Sequence, residues 1–216
     1  MNNKITLIGG LLAAAALLPG IANASLILDT GAPTGTGTPS ILNSSQWFAA
    51  EFAATPGEEI TTVSAYLEGG TAQNLTFDIY SGDGFTSTKV GSLTALATGT
   101  ASYNGSTGWT TVTLDWTPTS ASSSTSDYWI ALEATATGRG VTGPDLYPAS
   151  TGTAPALGFA RWSTSTNGVF TEASAPSFGV QVNAVPLPAG LWLLGSGLLG
   201  LGFAGRRTRS RRLSNH

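Results

Sequence analysis

The chain reads as an all-β protein: an antiparallel β-sandwich, jelly-roll-like, of about ten strands, flanked by an N-terminal signal helix and a C-terminal transmembrane helix. Three observations predict the sandwich. Apolar and polar residues alternate with period two in one short segment after another, the mark of a strand with one buried face. Gly- and Asn-containing turn signals separate these segments at the spacing of a sandwich. No stretch between Ser25 and Val185 carries helical periodicity of useful length.

In chain order, "NSSQWFAAEF" (43–52) suits a strand or a short helix, and is read as a strand. "NLTFDIY" sets Leu75, Phe77 and Ile79 against Thr76, Asp78 and Tyr80. "WTTVTLDW" sets Val112, Leu114 and Trp116 against Thr111, Thr113 and Asp115. "DYWIALEA" sets Tyr128, Ile130 and Leu132 against Trp129, Ala131 and Glu133, and "FGVQVNA" sets Phe178, Val180 and Val182 against Gly179, Gln181 and Asn183. Between them stand Gly69-Gly70, Gly82-Asp83-Gly84, Asn104-Gly105 and Asn167-Gly168, which suit tight turns. Abundant Thr fits the solvent face of a sheet.

Composition narrows the functions. The 216 residues are only 10% charged and include no Cys, which removes disulfides, thiolate metal sites and a cysteine nucleophile. The single histidine is His216, so Ser-His-Asp and Cys-His triads and His-based metal sites are excluded as well. All 12 acidic residues lie between Asp29 and Glu172, where only Lys89, Arg139 and Arg161 oppose them, leaving about −9. Such a region does not suit nucleic acid, which needs a basic face.

The two ends differ from the middle. Residues 1–24 read as a secretory signal peptide, with Lys4 as the positive start, an apolar run from Ile5 to Leu18, and Ala22 and Ala24 at the −3 and −1 positions of a cleavage site before Ser25. The partners this implies are the Sec translocon and signal peptidase. A domain over 25–184 follows. Leu187 to Ala204 carries no charge and would span about 27 Å as a helix, close to a bilayer core. Arg206, Arg207, Arg209, Arg211 and Arg212 then form a stop-transfer cluster.

This tripartite tail, over 185–212, resembles a PEP-CTERM-type sorting signal. The motif Val185-Pro186-Leu187-Pro188-Ala189 matches its VPLPA variant, with Leu187 where the usual motif has Glu. The resemblance implies recognition by an exosortase, a membrane-embedded cysteine transpeptidase that cuts near the motif. The exported domain would pass through a transient inner-membrane anchor to the cell surface or outside, in a Gram-negative bacterium that makes exopolysaccharide. The middle of the chain is similar to the choice-of-anchor type of surface domain. "NSSQWFAAEF", "VSAYLEGG", "LTFDIYSGDG", "WTTVTLDW" and "DYWIALEA" carry that likeness.

Chemistry in the middle region is sparse, and the expectation is a non-catalytic structural or binding role without a cofactor. Asp78 and Asp83 flank the turn in "DIYSGDG" and are the candidate Ca²⁺ ligands, although an ordinary hairpin turn explains them better. Core packing is the default reading of any one Trp, and Trp129, opposite in phase to its apolar neighbours, is the candidate for stacking on a glycan instead. A lectin-like module binding exopolysaccharide is the first alternative. A two-carboxylate glycoside hydrolase, drawing on residues such as Asp78, Asp83, Asp115, Asp127 and Glu133, is the second.

Overall fold

Each alternating segment becomes a strand whose apolar face looks inward. A computed structural model describes residues 23–34, 37–119, 126–134, 143–172 and 175–186. The strands are β1 (Ser25–Asp29), β2 (Ser40–Ile41), β3 (Gln46–Ala54), β4 (Glu58–Leu67), β5 (Gln73–Ser81), β6 (Ala97–Tyr103), β7 (Gly108–Trp116), β8 (Ser126–Ala134), β9 (Asp145–Leu146), β10 (Phe159–Ser163) and β11 (Val180–Pro186). Among the described residues the only helix is a single 3₁₀ turn, Val90–Ser92, and none is long and apolar enough to cross a membrane. The ambiguous segment after Asn43 is β3, a strand.

One sheet has the order β1-β11-β4-β7, a second β10-β3-β8-β5-β6, and a two-stranded ladder joins β2 to β9. Every pairing is antiparallel. Between the two larger sheets lies the core, where Val63, Ala65 and Val182 of the first meet Phe48, Phe77, Ile130 and Leu132 of the second. The inward faces read from sequence hold: Leu75, Phe77, Ile79, Ile130 and Leu132 are fully buried, as are Phe178, Val180 and Val182. The foreseen turns fall between strands. Asn167 and Gly168 both take positive φ, 53° and 82°, the conformation that an Asn-Gly pair tolerates best.

Two features were not foreseen. First, β11 ends at Pro186 rather than at residue 184, so the sheet runs two residues into the VPLPA motif. Second, the outer face of the five-stranded sheet is covered. The segment after β5 and the segment after β10 bridge to each other at Lys89 and Val169, with the Val90 N–H donating to the Gly168 carbonyl at 2.8 Å. Beneath them Ala49, Tyr80, Phe85, Trp129, Ala131, Ala160 and Phe170 form a second buried cluster.

The ends of the described chain meet. Ser25 of β1 is opposite Ala184 of β11, and the Thr30 hydroxyl donates to the Phe178 carbonyl at 2.7 Å while accepting from the Val180 N–H at 2.8 Å. Asp29 accepts from the Gln181 amide, from Thr153 and from the Gly31 N–H. Burial opposes ionisation of Asp29, but these hydrogen bonds outweigh it and hold its pKa below the usual value. Residues 1–22, the apolar run 187–204 and the arginines at 206–212, with Leu187, Pro188 and Ala189 of the motif, lie outside the described residues.

Candidate functional site

An open cleft of about 580 Å³ lies at the end of the sandwich where β3, β5, β7 and β8 begin or finish. Its walls include Glu51, Asp83 and Asp127 together with Trp116, Tyr128 and Leu96. Alternation along β3 directs Phe48, Phe52 and Ala54 into the core and leaves Glu51 on the outer face, opposite Trp129 of β8. The backbone of Glu51 is held by a further rung: its N–H donates to Gly158 and its carbonyl accepts from Leu157, both at 2.9 Å. Asp127 stands one residue into β8 opposite Ala53. Trp116, the last residue of β7, packs edge-on against Tyr128 at 5.1 Å between ring centroids and 79° between planes. Asp83 enters from the turn after β5, where the Gly82 N–H donates to the Asp127 carbonyl at 2.8 Å and fixes the turn against β8.

Partial burial raises the pKa of Glu51, and the carboxylates of Asp127 and Glu172 raise it further. The cleft is therefore acidic, and Glu51 ionises less readily in it than an ordinary glutamate does. Cavities of this size suit small organic ligands or a short stretch of polymer. Aromatic rings supply faces for stacking, and carboxylates accept hydrogen bonds from hydroxyl or ammonium groups.

A second acidic group lies on the outer face of the five-stranded sheet. Asp78 is 6% exposed and accepts from the Thr98 hydroxyl at 2.5 Å, across the β5–β6 pair. Glu133 of β8 accepts from the Tyr80 hydroxyl at 3.2 Å. Burial pushes Glu133 up to about 7, and the nearby Asp78 carboxylate adds to that, against the lowering effect of the Tyr80 hydrogen bond. Asp78 is raised by burial despite hydrogen bonds from Thr98 and Tyr80, and Tyr80 is raised by burial and both carboxylates.

The residues singled out from sequence are dispersed by this geometry. Asp78 is engaged with Thr98 within the sheet, whereas the exposed Asp83 lines the end cleft, so the two do not share a site. Ca²⁺ takes six to eight oxygens, and among the described residues no group of three or more His, Cys, Asp or Glu could hold a metal ion. Trp129 projects from the outer face, as its phase predicts, yet it is 2% exposed. Its ring stacks on Phe85 at 4.8 Å and 11°, and burial of the whole side chain leaves it closed to a sugar. Trp116 was read as an inward residue and does pack against the core, while its place at the strand end also puts it on the cleft wall. Glu51 was missed; a lone carboxylate inside the apolar run "WFAAEFAA" was the available signal. Ser25 opens β1 and Val185 and Pro186 close β11.

No family model matches the chain, and no curated protein is significantly similar to it.

Proposed function

We propose that the chain is an exported, exosortase-processed protein of the cell surface or extracellular matrix. In this reading the sandwich acts without catalysis and binds exopolysaccharide in the end cleft. The observation that carries the binding role is the meeting of Trp116 and Tyr128 with Glu51, Asp83 and Asp127 around one open cavity. Aromatic surface beside hydrogen-bond acceptors suits a sugar, which has apolar C–H faces and hydroxyl edges. Support for export comes from the tripartite tail and from a sandwich whose first strand begins at Ser25, directly after the signal-peptide site. We read the strand order, β1-β11-β4-β7 facing β3-β8-β5-β6, as a jelly roll of two Greek keys.

Pull-down of the purified domain with polysaccharide from an exopolysaccharide-producing host tests the binding role. The wild type should be retained, and Trp116→Ala and the exposed-residue variant Asp83→Asn should each bind at least about tenfold more weakly, the loss of about 1.4 kcal/mol. Equal retention of all three, or of none, would overturn it.

A second reading, glycoside hydrolysis, has one observation in its favour: Glu51 is raised by burial and by Asp127 in the same cleft. A general acid paired with an ionised carboxylate has that character. Release of reducing sugar by the wild type, abolished in Glu51→Gln, would favour this reading over simple binding.

A further inference from the structure

The strand β11 carries the first two residues of the sorting motif inside the sheet. Val185 is opposite Glu59 and Pro186 opposite Glu58 of β4. Upstream, β11 lies between β1 and β4, with Val180, Val182 and Ala184 fully buried. Among the described residues the ladder reaches Pro186, where the strands on both sides also have their limits. Glu58 is the first residue of β4, preceded by a tight turn in which its N–H donates to the Thr55 carbonyl and Gly57 takes φ of 89°. On the other flank β1 begins at Ser25, opposite Ala184. Among the described residues neither β1 nor β4 extends past the partner of Pro186. Proline, which has no N–H to donate, is suited to the end of a strand.

We propose that the folded sandwich itself limits where the sorting cut can fall: no earlier than the peptide bond after Pro186, so that Val185 and Pro186 stay with the exported domain. The inference rests on the exosortase reading above and adds to it the boundary of the reaction. A cysteine transpeptidase needs its substrate as an unpaired, extended chain. Bonds within Val180–Ala184 become available only when a central strand leaves both neighbours, and those of Val185 only when it leaves β4, so cleavage there requires the closing strand to open. In the reaction the peptide C–N bond of the substrate breaks and its acyl carbon forms a thioester with the enzyme's cysteine. The departing tail takes up a proton as its new amino group. Water or a primary amine then attacks the thioester, releasing the domain as an acid or an amide and returning the thiol. The same pairing puts Ser25, the first residue after the signal-peptide site, beside the residue that precedes the motif. Both processing junctions therefore lie at one end of one sheet.

The test is the C-terminal residue of the protein recovered from a host with its own sorting enzyme, read by intact mass and C-terminal peptide sequencing. A terminus at Pro186 or later, with the arginine cluster gone, supports the boundary. A terminus at Val185 or earlier overturns the boundary while leaving the sorting reading intact. A chain still ending at His216 overturns the sorting reading and the boundary with it. A second measurement is independent of the sorting enzyme: the purified full chain in detergent is digested with a broad-specificity protease. The smallest resistant fragment should end at Pro186 or later, and trimming into 180–184 with the sheet signal in circular dichroism unchanged would overturn the proposal.

Discussion

Glu133 and Asp78 are carboxyl groups in a place that favours neither charge. Both project from the outer face of a sheet that the chain has covered, and the Tyr80 hydroxyl lies between them. Because Glu133 is pushed up to about 7 from an ordinary value of 4.5, the folded protein holds a proton there over a range in which the unfolded chain has released it. Its effect on stability therefore has a definite sign. Below about pH 4.5 both states are protonated and Glu133 contributes nothing. As pH rises from 4.5 to 7 folding loses free energy, and above about 7 the full penalty is present. Glu133→Gln keeps an acceptor for Tyr80 and removes the charge. Its melting temperature should match the wild type near pH 4.5 and exceed it at pH 8, with the difference growing mainly between pH 5 and 7. A difference that does not change with pH would contradict this account. Asp29 works in the opposite sense, since its lowered pKa gives stability that is lost only as pH falls below the ordinary carboxylate range.

At the level of elements, what decides the use of the outer face is the pair of segments laid over it. Phe85, from the turn after β5, has its ring between Phe170 at 4.5 Å and Trp129 at 4.8 Å, with Tyr80 at 5.5 Å. Phe85→Ala should cost about 3–5 kcal/mol, the usual range for truncating a fully buried aromatic ring. It should also shift tryptophan emission to the red as Trp129 meets water. Denaturant titration followed by fluorescence reads both, and a cost under about 1 kcal/mol would show the cover to be dispensable. The sheet itself was legible because alternation reports a one-sided strand directly, and β5, β7, β8 and β11 all declared their core faces. The cover was less legible, since period two identifies one buried face and says little about the other. The uninterrupted run Tyr128-Trp129-Ile130-Ala131-Leu132 was the signal that β8 is buried on both sides. Phe85 and Phe170 were a second signal, each a bulky apolar residue set among Gly, Ser and Thr in a loop. The cleft was hidden for another reason. Glu51, Asp83, Trp116 and Asp127 come from four separate elements, and only the topology brings them to one end.

For the whole molecule, the order in which the chain becomes available matters as much as its contacts. The first strand and the last are neighbours, joined through Thr30 and the backbone of Phe178 and Val180 across about 150 residues of sequence. β11 also separates β1 from β4, so the four-stranded sheet cannot assemble until the last strand arrives. Contacts this distant in sequence are slow to form because the loop must close before any of them contributes. For a protein exported in the way proposed, this is consistent with translocation, since a chain that cannot complete its sheet stays open while it is threaded across the membrane. The dependence on β11 can be measured. A fragment spanning 25–186 has all eleven of the described strands and should unfold in one cooperative transition in urea. A fragment spanning 25–175 lacks β11, leaves β1 without a partner in its sheet and removes Phe178, Val180, Val182 and Ala184 from the core. Each of the larger buried apolar side chains among these contributes about 1.5–3 kcal/mol, so together they match much of the 5–15 kcal/mol that holds a typical domain. The shorter fragment should show no sigmoidal transition and should bind a hydrophobic dye at zero denaturant. Cooperative unfolding of the shorter fragment would mean that the second sheet and its aromatic cover fold without the first, and that the closing role assigned to β11 is wrong.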